Sequence, residues 1–215
     1  VFIGESAFSG CDGKAFTRVT IPDSVSVGGR GAFGKCSSIT NVSLGRGLTE
    51  VPAYCFTDCV RLTEIGIPTN VVFLGEGAFY NCVGLQYVDL NNVERVGEKA
   101  FFAESASVLE FIVFGENLKE IGAGAFANSS KLTEIEVHCS HFSSFEAAFP
   151  NVDLDKVTLY ASDDVMKSWN SYNVEPLEEK PEEDDGRLLL CVEIGLVVMF
   201  VIIGFVSLRM RTRSD

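Results

Sequence analysis

The chain has 215 residues, a hydrophobic fraction of 47% and a formal net charge of −13. This length suits one ordinary domain with additional segments, and the apolar content is sufficient to form a core. The excess of acidic residues argues against nucleic acid as a partner, because phosphate binding requires lysine and arginine in excess. The sequence begins at Val1, in the middle of a motif, which predicts that an N-terminal portion is missing.

A phenylalanine recurs at nearly constant spacing through the first part of the chain. The intervals are 25, 23, 23, 22 and 25 residues, and the positions are Phe8, Phe33, Phe56, Phe79, Phe101 and Phe126. Self-similarity at a period of 20–50 residues is typical of a solenoid, whose units bury a core only by stacking. We therefore expect the phenylalanines to form one buried column, with Phe79 in contact with Phe56 and Phe101.

Each repeat also carries a short alternating segment of the form L-T-x-V-x-I, which predicts a strand. The apolar residues expected to point inward are Val42, Leu44, Ile65, Ile67, Val88, Leu90, Ile135 and Val137. Parallel strands from successive repeats would lie side by side as rungs of one ladder.

The residues between the inward positions should form an outward surface, which we call the strand face. Its predicted members are Arg18, Thr20, Asn41, Ser43, Glu64, Gly66, Tyr87, Asp89, Glu110, Ile112, Glu134 and Glu136. The strand face becomes acidic toward its C-terminal end, so it suits a basic patch on another protein or, more weakly, a divalent cation. The alternative is a solvated face without a dedicated ligand.

Four of the seven cysteines follow the repeat: Cys11, Cys36, Cys59 and Cys82. On neighbouring rungs they could form disulfides, or they could be small buried thiols beside the phenylalanine column. The thiol interpretation is favoured because neighbouring rungs hold the cysteine side chains parallel, and disulfide geometry is demanding. We expect Cys82 to stack on Cys59.

No catalytic, cofactor or metal site is predicted. Both histidines lie in the segment His138-Cys139-Ser140-His141, but metal ligands normally come from two separated clusters and no second cluster exists. Phosphate-binding glycine loops and a nucleophile elbow are also missing from the sequence. Two sequons, at Asn41 and Asn128, could carry N-linked glycans in a eukaryotic secretory pathway.

The phrases IGESAFSGC, LGEGAFYNC and IGAGAF, together with LTEIGIP and LTEIEV, resemble the BspA-like leucine-rich repeats. Such repeats occur on surface proteins of bacteria and parasitic protists. The resemblance covers about residues 1–175 and some six repeats, although Glu104 and Ser129 replace the cysteine in the last two. It implies a solenoid of short parallel strands, used in surface attachment and protein binding.

The solenoid is expected to span residues 1–137 and to end in a helical cap over residues 138–174, because the open end of a solenoid core needs a lid. Ser162 is a plausible N-cap for this helix. One helical face would hold Val165, Met166, Trp169 and Tyr172. We expect Trp169 to serve packing rather than ligand binding.

The remaining residues predict a membrane anchor. Residues 175–187 are acidic and contain two prolines, which is typical of an extended stalk. Residues 188–208 hold a single charge and, as a helix with a rise of ~1.5 Å per residue, would span roughly 31 Å, which is close to the thickness of a bilayer core. A buried core helix is the less favoured alternative. The basic residues 209–215 predict a cytoplasmic tail and a single-pass type I orientation.

The sequence therefore predicts a non-enzymatic, membrane-anchored cell-surface protein of the leucine-rich-repeat type. It would bind proteins or glycans on other cells or matrix through the strand face, in adhesion. The alternative is a surface receptor that recognises a ligand and signals through partner proteins, although the seven-residue tail leaves no room for a signalling domain.

Overall fold

Every repeat places one short strand on the same side of the molecule, and several repeats place a second one on another side. The computed structural model describes residues 1–142, 144–169, 172 and 174–177. In chain order the strands are β1 (Arg18–Thr20), β2 (Asn41–Ser43), β3 (Glu50–Val51), β4 (Glu64–Gly66), β5 (Phe73–Leu74), β6 (Tyr87–Asp89), β7 (Arg95–Val96), β8 (Phe111–Phe114), β9 (Glu120–Ile121), β10 (Glu134–Val137), β11 (Thr158–Ala161) and β12 (Val174–Pro176).

The strands form three sheets, and every pairing within them is parallel. One sheet has the order β1-β2-β4, the second β6-β8-β10-β11-β12 and the third β3-β5-β7-β9. The first two carry the strand face, and no strand pairing joins β4 to β6 within these described residues. Residues Val1–Leu177 form one compact unit, so the expected parallel solenoid is confirmed.

The alternation of buried and outward residues follows the prediction in most strands. Val42, Val88 and Ile135 are fully buried, whereas Ile65 and Ile67 are only half-buried at the interruption between β4 and β6.

The predicted phase is wrong in β8. Ile112 was expected to point outward, but it is fully buried and pairs in register with Val88 and Ile135. Glu110 is exposed but precedes the strand, at the position that Thr133 occupies in the next repeat. The repeat from Phe101 contains extra residues, so counting from its phenylalanine misplaces the strand.

The phenylalanines stack in one continuous column through the core. Successive ring centroids from Phe8 to Phe126 lie 5.0–5.5 Å apart, with interplanar angles of 3–11°. This is the offset parallel arrangement that aromatic rings favour. Phe79 is fully buried between Phe56 and Phe101, as predicted. The column also includes a seventh ring, Phe149, 5.2 Å from Phe126, which the sequence analysis missed.

Glycines let the rungs approach each other closely beside this column. An ideal Cβ at Gly97 would lie 2.6 Å from the backbone nitrogen of Glu76, and one at Gly122 would lie 2.3 Å from that of Glu98. Real Cβ atoms do not occur at such distances. The glycine in the repeat is therefore required by contact between rungs.

The C-terminal end differs from the predicted helical cap. The sheet continues past residue 137, where β11 and β12 add two more parallel strands. Within residues 157–175, the helix α1 covers only Asp163–Met166, and Ser162 makes no side-chain capping hydrogen bond. The physical reason is the period-2 alternation of Val157, Leu159 and Ala161, which are all buried as in a strand.

An aromatic cluster packs next to α1 and closes this part of the core. Trp169 is fully buried, donates its indole N–H to the carbonyl of Cys139 at 2.8 Å, and lies edge-on against Phe145 with a centroid distance of 4.9 Å. The expected packing role of Trp169 is confirmed.

Two short 3-10 turns, Glu146–Ala148 and Leu154–Lys156, complete the described secondary structure. Among the described residues no helix is both long and apolar enough to cross a bilayer. The predicted membrane segment 188–208, the tail 209–215 and most of the stalk lie outside the described residues.

Candidate binding face

Strand pairing arranges the outward side chains of the strand face in two columns. The first column runs Arg18, Asn41, Glu64 on one sheet and Tyr87, Phe111, Glu134 on the next. The second column runs Thr20, Ser43, Gly66 and then Asp89, Val113, Glu136, Tyr160. The structure therefore brings the predicted residues together on one surface, with Glu110 replaced by Phe111 and Val113.

An aromatic pair lies in the middle of the strand face, on β6, the edge strand of the larger sheet, and on its neighbour β8. The rings of Tyr87 and Phe111 stack with centroids 5.5 Å apart and an interplanar angle of 25°, and both residues are half-buried. Burial raises the pKa of the Tyr87 hydroxyl, and the nearby carboxylates of Asp89 and Glu136 raise it further. Tyr87 therefore stays a neutral hydrogen-bonding group at physiological pH.

Two half-buried carboxylates flank this pair along the second column. Asp89 and Glu136 are separated only by Val113, one strand away from each. Burial raises the pKa of the Asp89 carboxyl, an effect opposed by the N–H of Asn91, which donates to Asp89 Oδ1 at 2.8 Å. The charge of Glu136 also raises the pKa of Asp89. The local negative charge is therefore poorly solvated and would gain from an incoming cation.

His138 lies beside Glu136 and is its cationic partner when the imidazole is protonated. Its Nε2 lies 2.7 Å from Glu136 Oε1, and this hydrogen bond raises the pKa of the imidazole, although partial burial opposes the shift. The charges of Glu136, Glu116 and Asp89 act in the same direction as the hydrogen bond. His138 was not predicted as part of the strand face, although it lies two residues after Glu136 and follows the same alternation.

The N-terminal part of the strand face is more open and more polar. Arg18, Thr20 and Ser43 are exposed, and the Asn41 amide donates to Glu64 Oε2 at 2.8 Å. A glycan on Asn41 would compete with this hydrogen bond and would cover the first sheet.

The second sequon lies in an internal hydrogen-bond ladder. The amide of Asn128 donates to the Ala103 carbonyl at 2.6 Å, and its oxygen accepts from the amide of Asn151 at 2.8 Å. A glycan on Asn128 would be attached to the amide nitrogen that makes the first of these hydrogen bonds.

The cysteines that the structure describes are free thiols. Cys36, Cys59 and Cys82 donate to the carbonyls of Phe8, Phe33 and Phe56, at 3.0, 3.3 and 3.0 Å. Each cysteine thus bonds to the phenylalanine of the preceding rung. Burial raises the pKa of Cys59 to about 12 and that of Cys55 to about 12, so these thiols are not nucleophiles at neutral pH.

The segment of His138 and His141 does not assemble ligands around one point. His138 bonds to Glu136, Cys139 is buried, and the ring of His141 lies edge-on to Trp169 with a centroid distance of 4.8 Å. Among the described residues, no group of three or more histidine, cysteine, aspartate or glutamate side chains could hold a metal ion.

The family model described as "BspA type Leucine rich repeat region (6 copies)" matches residues 1–107 and 102–178. A search among curated proteins found no match.

Two solved structures illustrate the similarity of fold. The T. pallidum leucine-rich repeat protein TpLRR is 25% identical, with a TM-score of 0.58 over 81% of this chain and 78% of that one. A leucine-rich repeat protein from Bacteroides ovatus is 21% identical, with a TM-score of 0.50 over 75% of this chain. The match spans 54% of the B. ovatus protein.

Proposed function

The chain belongs to the family of BspA-type leucine-rich repeat proteins, and on this premise we propose that it is a membrane-anchored cell-surface protein that binds other proteins through its strand face. The role is adhesion to proteins or glycans of other cells or matrix. Membership of a repeat family of surface proteins supports binding rather than catalysis.

The observation that carries this proposal is the aromatic pair of Tyr87 and Phe111, with the carboxylates of Asp89 and Glu136 in the adjacent column. Half-buried aromatic residues are enriched at the centres of protein interfaces, where they contribute much of the binding energy. Here they lie on the first two strands of the larger sheet, between the polar first sheet and Glu134 of β10. A protein surface can cover such a face, whereas a small molecule would find little enclosure there.

We infer that the partner presents lysine or arginine to this face. Asp89 and Glu136 lie two strands apart in one column, and burial raises the pKa of Asp89. A cation placed between them would remove the cost of two like charges in a partly desolvated position, and a guanidinium could also stack on the aromatic pair.

The test is binding of the displayed full chain to purified matrix proteins and to a lysine- and arginine-rich peptide. Binding should weaken by roughly tenfold or more in the Tyr87→Ala and Phe111→Ala variants, as expected for interface centres. Binding should also weaken as the salt concentration is raised from roughly 0.05 to roughly 0.5 M, because salt screens the attraction between exposed charges.

Charge reversal supplies the matched control. Reversing Glu64, Asp89, Glu134 and Glu136 to lysine should abolish binding, whereas reversing four exposed acids away from the strand face should leave most of it; these are Glu50, Glu76, Glu98 and Glu120. Equal effects of the two sets, or binding that survives the first, would rule out the strand face.

Membrane anchoring is the second part of the proposal and rests on sequence alone. The apolar residues 188–208, followed by the arginines of 209–215, support a single span at the plasma membrane with a cytoplasmic C-terminus. A tag placed after residue 215 should resist protease added outside intact cells, while the repeats should be cleaved. Cleavage of the tag would contradict this orientation.

A further inference from the structure

A groove lies on the turn side of the first three repeats, apart from the strand face. Its floor is Gly31 and Gly34, and its volume is about 310 Å³. The neighbouring repeats carry side chains at the corresponding positions, which are Ser6 and Ser9 on one side and Tyr54 and Thr57 on the other. The groove therefore exists because one repeat has glycine at two outward turn positions.

Two basic side chains line the groove, although the chain is strongly acidic overall. Arg30 and Lys35 line it at either end of the glycine floor, and both are exposed. None of the ion pairs among the described residues includes Arg30 or Lys35. Glu5 is the one acidic residue of the lining, and Glu76 lies just outside it, on the hydroxyl of Tyr54.

The guanidinium of Arg30 is held in place before any ligand arrives. It lies over the ring of Tyr54, 4.6 Å from the centroid. The Tyr54 hydroxyl in turn donates to Glu76 Oε1, and this hydrogen bond raises the pKa of Tyr54. A stacked guanidinium keeps its N–H edge free for a planar acceptor, and holding it in place reduces the entropy lost on binding.

We propose that this groove binds one carboxylate-bearing sugar unit. The guanidinium edge of Arg30 fits the two oxygens of one carboxylate, and the Lys35 ammonium can pair with the same charge. The volume exceeds what a bare carboxylate fills and lies at the low end of small-ligand sites. The Ser6 hydroxyl borders the remaining space, where it can exchange hydrogen bonds with ring hydroxyls, whereas Thr57 turns its methyl group toward Gly34.

The site is distinct from the protein-binding strand face and does not depend on it. Tyr54 acts here as a positioning residue, because one side of its ring is covered by Arg30 and the other by Gly77, whose ideal Cβ would lie 2.6 Å from Tyr54 Cε1. The ligand is therefore held by charge and hydroxyl groups rather than by stacking on the ring.

The test measures binding of D-glucuronate, D-glucose and acetate to the full chain in mild detergent, by saturation-transfer NMR and calorimetry. Glucuronate should bind with a dissociation constant on the order of 1 mM, as expected for a ligand of this size. Glucose, which lacks the charge, and acetate, which lacks the ring, should each bind at least roughly tenfold more weakly.

Two variants probe the charge and the space separately. Lys35→Gln removes one cation, and Gly31→Asn places a side chain over the floor at a position where φ is +61°, a conformation that asparagine tolerates. Each should weaken glucuronate binding by roughly tenfold, while Glu5→Gln should strengthen it. Lys131→Gln, an equal charge change at an exposed lysine outside the groove lining, should have no effect.

Several results would overturn the proposal. If no glucuronate binding were detected up to roughly 20 mM, the groove would not be a binding site for this sugar. If glucose bound as tightly as glucuronate, the carboxylate would not contribute to recognition. If acetate bound as tightly, the groove would be an anion site without specificity for a sugar. Unchanged binding in either Lys35→Gln or Gly31→Asn, with the fold intact by circular dichroism, would place the ligand elsewhere.

Discussion

At the scale of single residues, the thiols of Cys36, Cys59 and Cys82 hold neighbouring rungs together without cross-linking them. Each donates to a phenylalanine carbonyl one rung back, a buried acceptor that would otherwise be less well satisfied. A thiol is apolar enough to lie beside the phenylalanine column and still provides this weak donor.

The first prediction concerns the reactivity of these thiols. Among the described cysteines, only the exposed Cys11 should react with a maleimide in the native protein, because the other five are buried. All should react after denaturation without reductant. Mass spectrometry of peptides gives the measurement and also separates Cys191, which lies outside the described residues. A buried cysteine that stays unreactive after denaturation would indicate a disulfide.

The second prediction concerns the pair of His138 and Glu136. Glu136 raises the pKa of His138 in the folded state, so the pair stabilises the fold fully below the unfolded pKa of about 6.5. This stabilisation is lost as the pH rises through the higher folded pKa. Because the pair is about one-third exposed, we expect a loss of only about 0.5 kcal/mol.

The measurement is the free energy of unfolding in urea between pH 6 and pH 9 or so. The His138→Gln variant should lack this part of the pH dependence. An identical pH profile for the variant and the parent chain would show that the pair contributes nothing to stability.

At the scale of elements, the sequence predicted the strands wherever the repeat kept its length. Val42, Val88 and Ile135 follow the alternation, and each lies three residues after an apolar residue. Ile112 likewise lies three residues after the apolar Leu109, so counting from Leu109 would have placed Ile112 inward and Phe111 outward. The extra residues after Phe101 concealed this phase, and with it the aromatic pair of the strand face.

The cap could not be predicted because two periodicities overlap there. Residues 162–172 place apolar side chains at helical spacing, yet Val157, Leu159 and Ala161 alternate as a strand does. Pairing with the exposed edge of β10 favours the strand, because it satisfies backbone groups that a cap helix would leave unpaired. The groove lined by Arg30 could not be predicted from the sequence either, because it forms where Gly31 and Gly34 lie beside residues of the preceding and following repeats.

The third prediction tests the phenylalanine column. Phe79→Ala should lower the free energy of unfolding by roughly 3–5 kcal/mol, because a fully buried ring is lost between two others. Phe8→Ala is the matched control at the end of the same column, where the ring is 42% exposed, and should cost roughly 1 kcal/mol. Urea unfolding measures both, and equal costs would show that the column does not concentrate stability in its middle.

At the scale of the whole molecule, the column has unequal ends. The C-terminal side of the described residues is closed by the aromatic cluster around Trp169. At the N-terminal side, Val1 and Phe2 are 77% and 76% exposed, and Phe8 has a stacking neighbour on one side, Phe33. In a solenoid each rung is stabilised mainly by its neighbours, so an isolated polypeptide of residues 1–215 should open more readily at the Phe8 rung than at the Phe79 rung.

Amide hydrogen exchange tests this inequality with a pair of nearly identical hydrogen bonds. The N–H of Phe8 donates to the Ala32 carbonyl at 2.7 Å, and the N–H of Phe79 donates to the Ala100 carbonyl at 2.7 Å. Because the local geometry is the same, any difference in protection reports how many rungs cover each bond. We expect Phe79 to exchange at least ~100-fold more slowly than Phe8. Equal exchange rates would instead mean that the rungs open together, and that the exposed first rung is held as firmly as the interior of the column.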